Sequence, residues 1–172
     1  MGLNCRIGGA RGMFEAGLAT EVADVLGQTF GADGDWEVAE SRGYGELDDA
    51  NWADFRDRAA DEFGAEEVPN IFALGSEGRV VYLPANVQVM TLGLSSGKLR
   101  CASLPGLRRE LFALADRWEL PVDDHALEEI LRGGEDPDDG PVADAPEVLA
   151  FARLMLAANE AMRRDCPLWL AV

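Results

Sequence analysis

His125 is the only histidine of the chain and lies in Asp123-Asp124-His125-Ala126-Leu127-Glu128-Glu129. On a helix it faces Glu128 and Glu129 at i+3 and i+4, a spacing that suits an acid/base couple or part of a metal site. The same run is also what a helix start contains, an aspartate cap followed by acids that the helix dipole favours. One histidine makes no two-histidine site, so no metal and no cofactor are expected. A second acidic stretch places Asp136, Asp138, Asp144 and Glu147 at positions one, three, nine and twelve of a calcium loop. Position five is Gly140, which has no oxygen ligand to offer, and position six is Pro141 where the turn needs glycine. A solvated acidic loop over residues 133–145 is therefore the expectation.

Nucleophiles are sparse. Cys5, Cys101 and Cys166 are odd in number, far apart and in no metal-binding spacing, which reads as reduced cytosolic thiols. Cys101 falls in a β-prone run, and pairing it with His125 would make a nucleophile and base. Asn159 lies on a helix apolar around most of its circumference. A buried amide needs partners, so Asn159 either ties that helix to the sheet or lines a small pocket. Cys101, His125 and Asn159 thus define one possible site, a pocket between the sheet and the C-terminal helix. Gly8-Gly9-Ala10-Arg11-Gly12 has the glycine content of an anion cradle, but no Gly-Lys-Ser/Thr follows. Residues 1–12 read instead as a flexible arm. The remaining constellation is Asp48-Asp49-Ala50-Asn51-Trp52-Ala53-Asp54. Trp52 ringed by Asp48, Asp49 and Asp54 suits an interface that receives an arginine-rich partner, although Trp52 also fits an apolar helical stripe.

The elements that must hold these residues follow from periodicity. Phe14, Leu18, Val22, Val25 and Leu26 repeat at helical spacing, predicting a helix over 13–30 that Gly31 and Gly34 end. Trp36 to Glu40 alternates as a short strand would. Asp48, Asp49 and Asn51 open a second helix whose apolar face is Trp52, Phe55, Ala59 and Phe63. Between Val68 and Leu104 the period shortens, and four strands are expected: Ile71–Leu74, Val80–Leu83, Val87–Leu92 and Leu99–Leu104. Short Gly/Ser links join them, so an antiparallel meander is predicted. Pro105 opens a third helix, Asp123 or Asp124 a fourth that Gly133-Gly134 ends, and Pro146 a last one to about Arg164. The tail Pro167-Leu168-Trp169-Leu170-Ala171-Val172 is too apolar to dangle and should dock as a strand or extended segment. The expected fold is one α+β domain spanning 1–172, an antiparallel four- to five-stranded meander flanked by N- and C-terminal helices.

Charge limits the partners. The chain has 32 Asp+Glu against 15 Lys+Arg in 172 residues, a formal net charge of −17, with Lys98 its only lysine. Such a surface repels nucleic acid and anionic membrane and attracts cationic protein. Apolar runs are short and interrupted by charge, so neither a membrane span nor a secretory leader is expected. The scarcity of lysine also fits GC-rich coding or a halophile's solvation strategy.

One partial resemblance bears on function. The stretch Ile71-Phe72-Ala73-Leu74-Gly75-Ser76-Glu77-Gly78, then Val80-Val81-Tyr82-Leu83, Val87-Gln88-Val89, and Ala102-Ser103-Leu104 entering a helix with Leu111-Phe112, resembles the central meander of SUKH-type immunity proteins. It covers residues 71–113, without that family's Leu-Pro-aromatic helix and Asn-Gly step upstream and without a counterpart for residues 120–172. The resemblance implies a non-enzymatic cytosolic protein that binds and neutralises a toxin domain. Three functions are therefore compatible with the sequence. The first is an acidic protein-binding domain of immunity type, in the cytoplasm, with a basic protein as partner. The second is a small ligand-binding domain or enzyme using the Cys101, His125 and Asn159 pocket. The third is a halophilic protein whose acidity is solvation only.

Overall fold

A computed structural model describes residues 2–31, 36–37, 42–75, 78–135 and 145–172. In chain order the elements are β1 (Leu3–Ile7), α1 (Ala16–Phe30), β2 (Arg42–Leu47), α2 (Asp49–Phe63), β3 (Arg79–Leu83), β4 (Met90–Leu94), β5 (Gly97–Ser103), α3 (Leu104–Trp118), α4 (Asp124–Glu135), α5 (Pro146–Arg163) and β6 (Leu168–Ala171). Single 3-10 turns occupy Ala10–Gly12 and Ile71–Ala73. The fold is α+β around a mixed six-stranded sheet in the order β2-β1-β6-β3-β5-β4.

Alternation along the strands divides the core. Leu3, Cys5, Ile7, Val80, Tyr82, Ala102, Leu168 and Leu170 face one layer, where α2, α3, α4 and α5 supply Trp52, Phe55, Leu107, Leu111, Leu127, Phe151 and Met155. Val81, Leu83, Leu99, Cys101 and Trp169 face the other, covered by Ala19, Val22 and Leu26 of α1. Those three α1 residues recur at i, i+3 and i+7, one helical stripe. Gly31 at φ 94° and Gly64 at φ 80° end α1 and α2 in a backbone region that favours glycine.

The expected antiparallel meander is corrected in two places. Ile71–Leu74 is no strand, because its donors are taken. The Glu110 carboxylate accepts from Asn70 N at 3.0 Å and from Ile71 N at 2.8 Å, and the Tyr82 hydroxyl donates to Asn70 O at 2.9 Å. A segment bound this way curls into a 3-10 turn and has no ladder to offer. β3 is also parallel to β5, with Val80 opposite Arg100 and Leu83 opposite Ser103, while β4 folds back outside β5 as a hairpin. Between the two candidates for the seat beside β3, the more apolar takes it. Leu99, Cys101, Ala102 and Ser103 of β5 are buried, whereas Met90, Thr91 and Gly93 of β4 are exposed.

The described residues 2–12 are not an arm. β1 is paired on both sides, with β2 (Leu3 opposite Leu47) and with β6 (Asn4 opposite Ala171). The Gly-rich run continues as a turn whose Gly8 carbonyl accepts from Trp169 Nε1 at 2.8 Å. The strand expected at Trp36–Glu40 is a turn at Trp36-Glu37, its remainder lying outside the described residues. Helix α4 runs through Gly133 and Gly134 to Glu135. The acidic loop predicted at 133–145, with Asp136, Asp138 and Asp144 of the calcium reading, otherwise falls outside the described residues up to residue 144. Glu147 pairs with Arg58 at 2.7 Å and staples α2 to the first turn of α5.

Candidate functional site

The three residues read as a pocket do not converge. Cys101 is buried on the α1 side of the sheet, and burial pushes its thiol up to about 12, which leaves no thiolate at neutral pH. His125 stands on α4 on the opposite side, its side chain 77% exposed and 3.5 Å from Glu129 Oε1. No nucleophile–base pair is formed by these two. Asn159 fulfils its structural role, but toward helices instead of the sheet. Its Oδ1 accepts from Arg108 Nε of α3 at 3.1 Å, and its Nδ2 donates to Asp124 Oδ1 of α4 at 2.9 Å. Asp124 also receives Arg163, and Arg163 and Arg164 both reach Glu160, so the α4–α5 seam is a charge network. Burial raises the Asp124 carboxyl, but the Arg163 and Asn159 bonds outweigh it and hold it below its ordinary range. Among the described residues no group of three His, Cys, Asp or Glu is placed to hold a metal ion.

The acid-ringed tryptophan separates into two parts. Trp52 is 5% exposed, stacked on Phe55 with ring centroids 5.4 Å apart, so its ring belongs to the core and offers no anchor to a partner. Asp48 is the N-cap of α2, its Oδ1 accepting from Ala50 N at 2.9 Å and Asn51 N at 3.1 Å. Asp48→Ala is expected to cost about 1 kcal/mol in urea unfolding, the usual worth of such a cap. No loss would show that the cap carries nothing. Asp49 and Asp54 are exposed beside it.

What the acids overlook is a groove. β2 (Arg42-Gly43-Tyr44-Gly45-Glu46-Leu47) pairs with β1 in a register that jumps between Cys5 opposite Gly45 and Arg6 opposite Gly43, leaving Tyr44 as the extra residue of a bulge. Gly45 takes φ 107°, which favours glycine, and a Cβ there would lie 3.0 Å from Arg153 Nη1, a close approach the arginine would have to yield to. The space between β2, α4 and α5 is lined by Tyr44, Gly45, Glu128, Leu131, Arg132 and Arg153 and measures about 470 Å³. A narrower recess of about 150 Å³ adjoins it along Leu131 and Arg153, running to Glu46, Asp48 and Asn51. Burial, then the nearby Glu160 and Asp124 carboxylates, hold the Tyr44 phenol above its ordinary range. Arg153 and Leu131 were not among the residues singled out in the sequence. The Gly-Tyr-Gly step was the available signal, since paired glycines in a strand mark a bulge or a close approach.

Comparisons with protein families, with curated proteins and with solved structures find no match to this chain. Function therefore rests on geometry and charge alone. Along α2, Asp54, Asp57 and Asp61 recur at i, i+3 and i+7 on the solvent face. None of the three has a hydrogen-bond or ion-pair partner among the described residues. Their neighbour Arg58 is turned away to Glu147 and to the Trp118 ring, 4.3 Å from its centroid. Among the described residues no helix is long and apolar enough to cross a membrane.

Proposed function

We propose that this chain is a non-catalytic cytoplasmic binding module for a cationic protein, of the toxin-neutralising immunity type, and that α2 carries its docking face. The supporting observation is the row Asp54, Asp57 and Asp61, exposed on a helix whose Arg58 is bonded to Glu147 and whose Arg56 lies over the Phe72 ring. Unpaired carboxylates in line keep their full field, which steers a basic partner and masks its cationic groups. The dispersal of Cys101, His125 and Asn159 favours this reading over an enzyme using those residues. Neither nucleic acid nor an anionic membrane suits such a face.

The triple variant Asp54→Lys/Asp57→Lys/Asp61→Lys tests it, since exposed substitutions cost little folding stability. Association with the basic protein recovered by cross-linking in the native cell should slow about tenfold or more, and its salt dependence should flatten. Reversing Glu15 and Asp24 near α1, across the sheet, should change the rate little. Equal rates for the wild type and the triple variant would remove this face.

The groove supports a second reading, a small acidic ligand held beside Arg132 and Arg153 between β2 and the C-terminal helix. Chemical-shift changes at Tyr44 and Gly45 on titration with a carboxylate probe would favour it.

A further inference from the structure

The two edges of the sheet differ in the features that govern strand pairing. β2 carries the bulge at Tyr44, a glycine at φ 107°, and the charges of Arg42 and Glu46, all devices that discourage an added strand. β4, Met90-Thr91-Leu92-Gly93-Leu94, has no charge, no proline and no break in its register with β5. Among the described residues it is an unguarded edge, on a chain otherwise dense with carboxylates.

We propose that β4 is the interface between two copies of this chain, paired antiparallel about a two-fold axis at Leu92 so that two sheets become one. The backbone supports this register. Leu94 and Gly97 flank the two-residue turn Ser95-Ser96, so Leu94, Leu92 and Met90 bond inward to Gly97, Leu99 and Cys101. The N–H and C=O groups of Thr91 and Gly93 therefore point outward. With Leu92 on the axis, Thr91 of each copy meets Gly93 of the other, and these outward groups satisfy one another. Met90, 38% exposed, then covers Leu94 of the second copy. Leu92 and Leu94 lie on the same side of the sheet, packed against the α1 cluster, so the added contact extends an existing apolar surface.

Charge selects a second copy over a basic strand. Two chains of net charge −17 can approach only where carboxylates are absent or engaged. Near β4, Glu21 is tied to Ser95 by its amide and hydroxyl, the latter at 2.6 Å, while Arg100 donates to Thr91 Oγ1 at 3.2 Å and Lys98 lies on the next strand. This cationic margin repels a lysine- or arginine-rich segment. A self-matched strand also needs no partner of complementary sequence, which is the property of an isologous contact. Pairing over five residues is smaller than a standard interface, so the dimer is weak and concentration-dependent.

Sedimentation velocity from about 1 µM to about 1 mM spans the range in which a weak interface titrates. The wild-type coefficient should rise toward the dimer value, and amide exchange at Thr91 and Gly93 should slow as it does. Thr91→Pro deletes an outward donor at a position where an edge strand tolerates proline, and Met90→Lys sets a charge against Leu94 of the second copy. Both variants should remain monomeric with unchanged circular dichroism. If Thr91→Pro unfolds, Met90→Lys decides. A wild type monomeric throughout, or a Met90→Lys protein that dimerises as the wild type does, overturns the proposal.

Discussion

Removal of residues 167–172 is expected to leave no cooperatively folded protein. β6 sits between β1 and β3, so its loss separates the sheet into two pieces and opens an edge on each. Leu168, Trp169 and Leu170 are all buried, facing the two layers alternately. Trp169 packs edge-on against Phe14 with centroids 5.5 Å apart. Large buried side chains cost about 2–5 kcal/mol each when truncated, and three of them approach or exceed the ~5–15 kcal/mol that holds a domain together. Far-UV circular dichroism and amide shift dispersion of the truncated chain check this. A sharp unfolding transition in it would contradict the result.

Glu110→Ala should destabilise the protein by about 3–5 kcal/mol, the scale on which a buried charged partner is missed. The substitution strands Asn70 N, Asn70 Nδ2 and Ile71 N together, all of which now bond to the Glu110 carboxylate. Disorder then spreads, because Asn70 Oδ1 accepts from Ser103 N at 3.0 Å and Ser103 Oγ accepts from Gly106 N to cap α3. Gly106 has no room to compensate, since a Cβ there would lie 2.6 Å from Asn70 Nδ2. The pH dependence gives an independent reading. Burial raises the Glu110 carboxyl above its ordinary range, against lowering by its bonds to Asn70 and Ile71 and by Arg109. A raised native value means that the native state holds this proton more tightly. Its contribution is complete below the unfolded glutamate value of about 4.3 and is lost as pH rises through the native value. Glu110→Gln should keep part of the stability and lose that slope. A Glu110→Ala protein whose urea unfolding free energy lies within about 1 kcal/mol of the wild type would place the turn's anchor elsewhere.

Helices α1, α2, α3 and α5 were legible because their information is local. Stripes such as Trp52, Phe55 and Ala59, the Asp48 cap and Pro105 act within a few residues of where they stand, and the ends fall within three residues of expectation. The docking of the apolar tail was legible for a similar reason: six residues with Leu168, Trp169 and Leu170 have nowhere else to go. Ile71–Leu74 misled because its fate is decided by Glu110, forty residues away, through hydrogen bonds that no local pattern encodes. β1 does alternate, Leu3, Cys5 and Ile7 with Asn4 and Arg6, but the glycine-rich run after it hides the strand, whereas β2 is short and glycine-rich and is a strand only through its pairing with β1 around the Tyr44 bulge. At the docking face, the acids themselves could be read from α2's spacing. That Trp52 turns inward and Asp48 is spent on the cap could not, since both depend on what packs behind the helix.

The adjacency of β1 and β6 also sets a schedule for making this protein. The bond from Trp169 to Gly8 joins residues 161 apart, and the two strand pairs that β6 makes, with β1 and with β3, wait for that part of the chain. Synthesis at ~5–20 residues per second makes β1 about 10–30 s before β6. During that interval β1 has β2 on one side only, and β3, β5 and β4 can pair among themselves, so the sheet stays in two pieces. Closure of the six-stranded sheet thus waits for residues 168–171 to be made, and the dense negative charge keeps the waiting chains apart from one another.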